Sequence, residues 1–205
     1  LKVTPRAAQT MSKSYLMWVQ NDSFPIFAES QDGCLLRSVD GDVFIDTMGG
    51  LGPNFLPKKV VEKAIKDQLK KGINFSLPST LETELAELLC EVVPGCESVK
   101  FAKNGSDATC AAIRMARHLK QKDPILMARG GYHGWSDNFT SASTRNYGVP
   151  ADLKKYIDMF EFNNPMDLES KLQTGKYAAV IIEPVSIEEP KDNFLQKVRD
   201  LCNKY

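Results

Sequence analysis

The alternation of helical and strand patterns in the second half of the chain constrains its fold most. The pattern consists, in chain order, of a strand at 98–103, a helix through Leu119, a strand at 124–128, a helix over 164–174, a strand at 177–185 and a helix from Asn193. Strands separated by helices of this length are typical of parallel sheets, because parallel neighbours need a long crossover. The sequence therefore predicts an α/β fold with a mostly parallel sheet flanked by helices.

The first part of the chain carries different signals. Apolar and polar residues alternate over 33–48 around Asp40-Gly41, a dipeptide that favours tight hairpin turns. Apolar residues then recur at helical spacing over 57–71. We therefore expect an N-terminal segment with a β-hairpin at 1–56, followed at 57–205 by part of a large α/β domain.

A second helix is indicated by its start signal. Ser79 precedes an apolar run, and Glu82 lies three residues later. In this arrangement, called a capping box, the two side chains bond the free N–H groups at the helix start. The pattern ends near Pro94-Gly95, which cannot continue a helix.

Charge and composition argue against several classes of function. The 205 residues include 26 basic and 26 acidic side chains, so no net charge favours nucleic acid or an anionic membrane surface. The five cysteines form no CxxC pair, and the two histidines are too few to suggest a metal site. No signal peptide or apolar run of membrane-spanning length is visible. We expect a cytoplasmic protein with free thiols.

The turn Asn104-Gly105-Ser106 lies between a predicted strand and a predicted helix. A helix start offers unpaired N–H groups and a partial positive charge, so a glycine and a hydroxyl there can bind phosphate. The same residues could simply cap the helix, because capping residues are common at such positions. This turn alone does not decide between the two interpretations.

Two further strand ends carry candidate binding residues. Tyr132 and His133 follow the strand at 124–128, and Glu183 ends the last apolar strand. Ligands of open α/β sheets bind beyond the carboxyl ends of the strands, so these residues should face one crevice with Ser106. Tyr132 could stack on an aromatic ring or pack in the core, and Glu183 could contact a ligand or form a salt bridge at the rim. His133 is better explained as a hydrogen-bonded structural histidine than as a general base.

These motifs together resemble the class III aminotransferases, including glutamate-1-semialdehyde aminomutases and aminotransferases of surface-polysaccharide synthesis. The resemblance runs from about residue 23 to 205 and rests on five stretches in order: VDGDVFIDTMGGLGP, LETELAELL, FAKNGSDATCAAIRMAR, GGYHGWSDN and VIIEP. It implies the large domain of a PLP-dependent transferase, incomplete here, with pyridoxal 5'-phosphate (PLP) as cofactor.

The resemblance also implies roles for residues. Gly105 and Ser106, with Asn104 beside them, would hold the cofactor phosphate, and Tyr132 would stack on the pyridine ring. The other candidates at the cofactor are His133 and Glu183. Members of the family act on a small-molecule amino donor and acceptor and form homodimers, in which the segment around Trp18 and Phe24 often crosses to the partner.

Departures from the family pattern limit the prediction. Leu51 stands where the aminomutases carry tryptophan, which favours an aminotransferase of a small keto, aldehyde or sugar substrate over an aminomutase. The family's aspartate at the pyridinium nitrogen and its Schiff-base lysine would follow Tyr205. We therefore expect the 205-residue chain alone to contain no catalytic residue and to be inactive, and the full-length protein to be an enzyme.

Two alternatives come from other classes. A dinucleotide-binding oxidoreductase would also place a glycine turn between strand and helix, but the turn at 103–108 lacks GxGxxG. A noncatalytic remnant of the same fold is the other alternative.

Overall fold

A computed structural model describes residues 2–17, 25–50, 52, 58–185 and 187–205. The chain divides into two compact units, Leu1–Thr83 and Glu84–Tyr205. Trp18, Phe24 and Leu51 lie outside the described residues. None of the described helices is long and apolar enough to cross a membrane.

The first unit contains a three-stranded antiparallel sheet. Its strands are β1 (Ala28–Asp32), β2 (Leu35–Ser38) and β3 (Val43–Ile45), in that order. The predicted hairpin is confirmed as β2 and β3, with Gly41 at a φ of +95° in the turn. The buried Ser38 closes this turn, because its Oγ accepts from the N–H of Asp42 at 3.2 Å. The pairing of β1 with β2 adds a strand that is not predicted from the sequence.

The two helices predicted over 57–71 and from Ser79 are present as α1 (Lys58–Leu69) and α2 (Thr80–Val92). The capping box of α2 is confirmed: the N–H of Ser79 donates to Glu82 Oε1 at 3.1 Å, and the N–H of Leu81 donates to Ser79 Oγ at 3.3 Å. Neither helix contains a fully buried residue, so their apolar faces do not form a core among the described residues. Among the described residues before the sheet there are three short 3-10 helices, at Pro5–Ala7, Met11–Lys13 and Tyr15–Met17.

The second unit is built around a parallel sheet in the order β5-β4-β6. The strands are β4 (Ile125–Ala128), β5 (Ile157–Phe160) and β6 (Ala179–Ile181). Three of the connecting helices were predicted: α3 (Gly105–Lys120) precedes β4, α5 (Pro165–Leu172) precedes β6, and α6 (Phe194–Lys204) follows β6. The short helix α4 (Asp137–Thr140) and a 3-10 helix (Ala151–Tyr156) precede β5, and neither they nor β5 were predicted. The α/β prediction is confirmed.

The central strand β4 is buried on both faces, and its alternate residues belong to two separate cores. Leu126 and Ala128 join a cluster that includes Leu168 of α5 and Phe194 of α6. The other face packs with α3 and α4 through a cluster whose buried members are Ile113, Ile125, Met127, Phe139, Ile157 and Ala178. Full burial of a large apolar side chain stabilises a fold by roughly 1.5–3 kcal/mol, so these two layers fix the position of β4 firmly. The loop that follows β4 therefore starts from a rigid point.

The strand predicted at 98–103 is wrong. The segment forms no β-strand, and Phe101 is 41% exposed. A β-strand needs a neighbour to bond its N–H and C=O groups, and no described strand lies beside this segment. The segment nonetheless leads directly into α3, as the pattern indicated.

Candidate active site

The start of α3 is organised by Asn104. Its extended backbone (φ −151°, ψ 172°) precedes the helix, and its Oδ1 accepts from the N–H of Asp107 at 3.0 Å. Its Nδ2 donates to the Asp107 carboxylate at 2.9 Å. Asn104 is therefore the helix cap, which leaves the hydroxyl of Ser106 and other N–H groups of the first turn available for further contacts.

Ser106 lies against the loop that follows β4. Its Oγ accepts from the N–H of Trp135 at 3.3 Å. The adjacent Gly134 has a φ of +104°, and a Cβ there would lie 2.5 Å from Ser106 Oγ and 2.9 Å from Ser106 Cα. Only glycine permits this approach, because a side chain would be strained at that φ and would also collide with α3. The structure thus brings the predicted turn and the predicted loop into direct contact.

Thr109 strengthens the same junction. Its hydroxyl donates to the carbonyl of His133 at 2.7 Å, and lies 3.1 Å from the carbonyls of Gly105 and Ser106. A threonine one turn into a helix commonly bonds back to its own helix, so nothing in the sequence marked it out. The contact across 24 residues is visible only in the structure.

Tyr132 and Glu183 link the ends of two neighbouring strands. Tyr132 lies four residues after β4 and Glu183 two residues after β6, and the N–H of Tyr132 donates to Glu183 Oε2 at 3.1 Å. The side chain of Tyr132 is not part of the core, since the residue is 64% exposed. Of the two interpretations left open by the sequence, the core aromatic is therefore wrong, and the ring is available to a ligand.

His133 is buried between these contacts. It is 7% exposed, and its ring packs against Phe139 with centroids 5.6 Å apart. Burial lowers the pKa of the imidazole, and the negative charge of Glu183 opposes that change only in part. Its Nε2 is buried and has no hydrogen-bond partner among the described residues. A buried nitrogen without a hydrogen bond destabilises the folded state, so a hydrogen bond from a ligand or a water molecule to this atom would be stabilising.

Hydrogen bonds thus link the three segments that carry the six predicted residues at the carboxyl end of the sheet, with His133 buried beneath the others. Ser106 meets the β4 loop at Trp135, and the β4 loop meets Glu183 at Tyr132. Asn104 and Gly105 form the adjoining start of α3. A cavity of about 510 Å³ elsewhere in this unit, beside β6 and α6, contains none of the six. The surface offers hydroxyl and N–H donors for an anion, an exposed aromatic ring and a carboxylate.

The sequence model of the class III aminotransferases matches residues 16–205 of the chain. The chain belongs to the class III aminotransferase family. It is 35% identical over 198 residues to a glutamate-1-semialdehyde 2,1-aminomutase of Saccharolobus islandicus. The aligned region covers 89% of this chain and 46% of the aminomutase. The chain thus spans about half the length of the curated relatives it matches.

Solved structures of transaminases show the same fold. The PLP form of the FumI protein of Sphingopyxis sp. MTA144 superposes with a TM-score of 0.82 and 28% identity, covering 90% of this chain and 46% of that protein. A glutamate-1-semialdehyde aminomutase from Pseudomonas aeruginosa PAO1 gives a TM-score of 0.75 with 22% identity, covering 88% of this chain and 43% of that one. The α/β unit is therefore part of the fold type I domain of this family.

Proposed function

We propose that the full-length protein that contains this chain is a PLP-dependent aminotransferase. The observation that carries the proposal is the contact of Ser106 at the start of α3 with the β4 loop, while the same loop bonds Glu183 beyond β6. Three segments thereby bring an anion site, an aromatic ring and a carboxylate onto one surface. Membership of the aminotransferase family supports PLP over a dinucleotide as the ligand of this surface.

The residues present fit PLP in chemistry as well as in place. The α3 start combines a hydroxyl with main-chain N–H groups and the positive end of the helix dipole, which suits a phosphate dianion. The absence of a side chain on Gly134 lets the main chain lie against Ser106, because a Cβ at residue 134 would collide with the Ser106 hydroxyl. The buried Nε2 of His133 lacks a described partner, which is consistent with a site that a polar ligand completes.

Each residue has a proposed role. Ser106 and the N–H groups beside Gly105, with Asn104 fixing the turn, hold the phosphate. Tyr132 presents its exposed ring to the pyridine face, and Glu183 holds the Tyr132 main chain in place while its carboxylate borders the site. When bound, PLP supplies an electron sink for the substrate carbon that carries the amino group.

The proposed reaction transfers an amino group from a small-molecule donor to a small keto, aldehyde or sugar acceptor. Glutamate-1-semialdehyde 2,1-aminomutase activity is a second candidate, favoured by the 35% identity to a relative of that name. The two differ in whether the amino group passes between molecules or moves within one. An assay with 15N-labelled donor and unlabelled acceptor separates them by where the label appears.

We also propose that residues 57–205 form part of the PLP-binding domain and that the full-length protein is a cytoplasmic homodimer. The homodimer is supported by the family resemblance. That resemblance implies an enzyme in which each active site is built between two subunits. Sedimentation of the full-length protein tests this, and a monomer at all concentrations would contradict it.

The function is tested on the purified full-length protein. We expect stoichiometric PLP, an absorption band of the bound cofactor that borohydride removes, and transfer of 15N from an amino donor. A full-length protein that folds but neither retains PLP nor transfers nitrogen would contradict the proposal and favour a noncatalytic remnant of the fold.

A further inference from the structure

Two cysteines lie together at the end of α2. Cys90 belongs to the last turns of the helix, and Cys96 follows four residues after its end at Val92. Their Sγ atoms are 3.8 Å apart. This contact is unrelated to the candidate active site, so it needs its own explanation.

The turn after α2 produces the contact. The N–H of Cys96 donates to the carbonyl of Val93 at 3.1 Å, and Gly95 adopts a φ of +75°. Glycine adopts a positive φ without the strain that other residues meet, so Pro94-Gly95 can form a turn immediately after the helix end. Cys96 is thereby returned toward the helix, to a position near Cys90.

The pair is both close and accessible. A disulfide has an S–S length of about 2.05 Å, so the sulfur atoms, 3.8 Å apart, must approach by roughly 1.8 Å to form one. Both cysteines are half-buried rather than enclosed, and both are free thiols in this structure. Each residue is therefore partly open to solvent in the described chain.

We propose that Cys90 and Cys96 are a disulfide-forming site that is oxidised by low-molecular-weight disulfides. One cysteine sulfur attacks the small disulfide, whose S–S bond breaks and releases one thiol. The second cysteine sulfur then attacks the mixed disulfide and releases the other thiol. The two protein S–H protons pass to the two small thiols, so two protein thiols are oxidised while one small disulfide is reduced.

The new bond would connect the end of α2 to the segment that leads into α3. Residues 97–103 form no helix or strand and are largely exposed, and the carbonyl of Ser98 accepts from Cys96 Sγ at 3.7 Å. A crosslink at Cys96 limits their motion at one end. We therefore expect amide hydrogen exchange in 97–103 to slow on oxidation.

The test uses the full-length protein treated with oxidised glutathione and then with N-ethylmaleimide to block the remaining thiols. A glutamate-specific protease cuts after Glu91, between the two cysteines, and after Glu97. Only a Cys90–Cys96 disulfide then keeps the two peptides joined in non-reducing mass spectrometry. We expect the joined peptides, loss of maleimide from both cysteines, and slower exchange at 97–103.

Two variants keep the test decisive. In Cys96→Ser the second attack is impossible, so Cys90 should keep a glutathione adduct, while Cys34→Ser serves as the matched control and should form the joined peptides normally. Circular dichroism and PLP content of the variants report whether they fold. Separate maleimide labels or stable separate glutathione adducts on Cys90 and Cys96 in the parent protein would overturn the proposal.

Discussion

The main-chain N–H of Tyr132 donates to Oε2 of Glu183 at 3.1 Å, which joins the ends of β4 and β6 across 51 residues of sequence. Adjacent parallel strands end at one sheet edge, so a short polar link there holds their loops in a fixed relation. Because the bond engages the main chain of Tyr132, it leaves the ring of that residue free. The geometry assigns Glu183 a positioning role for the aromatic face.

Replacement of Glu183 tests this role. Glu183→Ala removes the acceptor of the Tyr132 N–H, and a hydrogen bond to a charged group contributes about 1.5–3 kcal/mol, so we expect PLP affinity to fall by at least roughly tenfold. Glu183→Gln retains an oxygen acceptor and should lose less. Glu188→Gln alters a carboxylate that pairs with Lys191 instead and is the control. Equal PLP affinity in Glu183→Ala and the parent, measured by equilibrium dialysis, would contradict the role.

Loss of the Ser106 hydroxyl should weaken phosphate binding. Ser106→Ala removes one hydrogen bond to a doubly charged group, for which we expect a PLP affinity about tenfold lower. Because Ser106 Oγ also accepts from the N–H of Trp135, pyridoxal without the phosphate should lose less affinity than PLP does, which separates the phosphate contact from loosening of the β4 loop. The exposed Ser170 of α5 provides the matched Ser→Ala control. If pyridoxal binding falls as much as PLP binding, Ser106 does not act on the phosphate.

Gly134 and Gly148 form a matched pair for the close approach at α3. Both have positive φ, +104° and +77°, but a Cβ on Gly134 would lie 2.5 Å from Ser106 Oγ while a Cβ on Gly148 meets nothing within 4 Å. Backbone strain from alanine should thus be similar at both positions, roughly 1 kcal/mol, with the collision present only at Gly134. We expect Gly134→Ala to lose PLP and melt several degrees lower than Gly148→Ala. Equal melting temperatures and PLP contents would rule out a tight contact.

The buried His133 should make stability depend on pH. Burial lowers the pKa of the folded imidazole below the value near 6.5 of an unfolded chain. The unfolded state therefore binds the proton first as the pH falls, so the contribution of neutral His133 is complete above about pH 6.5 and decreases below it. We expect the melting-temperature gap between the parent and His133→Gln to be constant from pH 7 to 8 and to narrow toward pH 5. A gap independent of pH would mean that His133 is not desolvated.

The strands that were predicted from the sequence are those whose residues are mostly apolar, which is the mark of a buried strand. β4 has only apolar residues because both its faces lie in cores. β5 was not predicted because Asp158 interrupts its four residues, and the structure shows that this carboxylate accepts from the Tyr177 hydroxyl at 2.5 Å. The segment 98–103 has residues that favour strands but forms none. Residue preferences do not indicate whether a neighbouring strand is present to pair with.

The candidate site shows the same division. Asn104, Gly105 and Ser106 are recognisable because glycine, hydroxyl and capping residues at a helix start have local physical roles. Thr109 and Gly134 were not recognised, because their importance lies in contacts made with residues more than twenty positions away. Such contacts follow from the packing of α3 against the β4 loop, which a single sequence does not specify.

The most direct test of the proposed cofactor site is a crystal structure of the full-length protein soaked or grown with PLP. We expect phosphate oxygens within hydrogen-bonding distance, about 2.7–3.2 Å, of Ser106 Oγ and of main-chain N–H groups at the start of α3, with the pyridine ring against the Tyr132 ring. A bound PLP whose phosphate lies away from Ser106, or whose ring does not contact Tyr132, would contradict it.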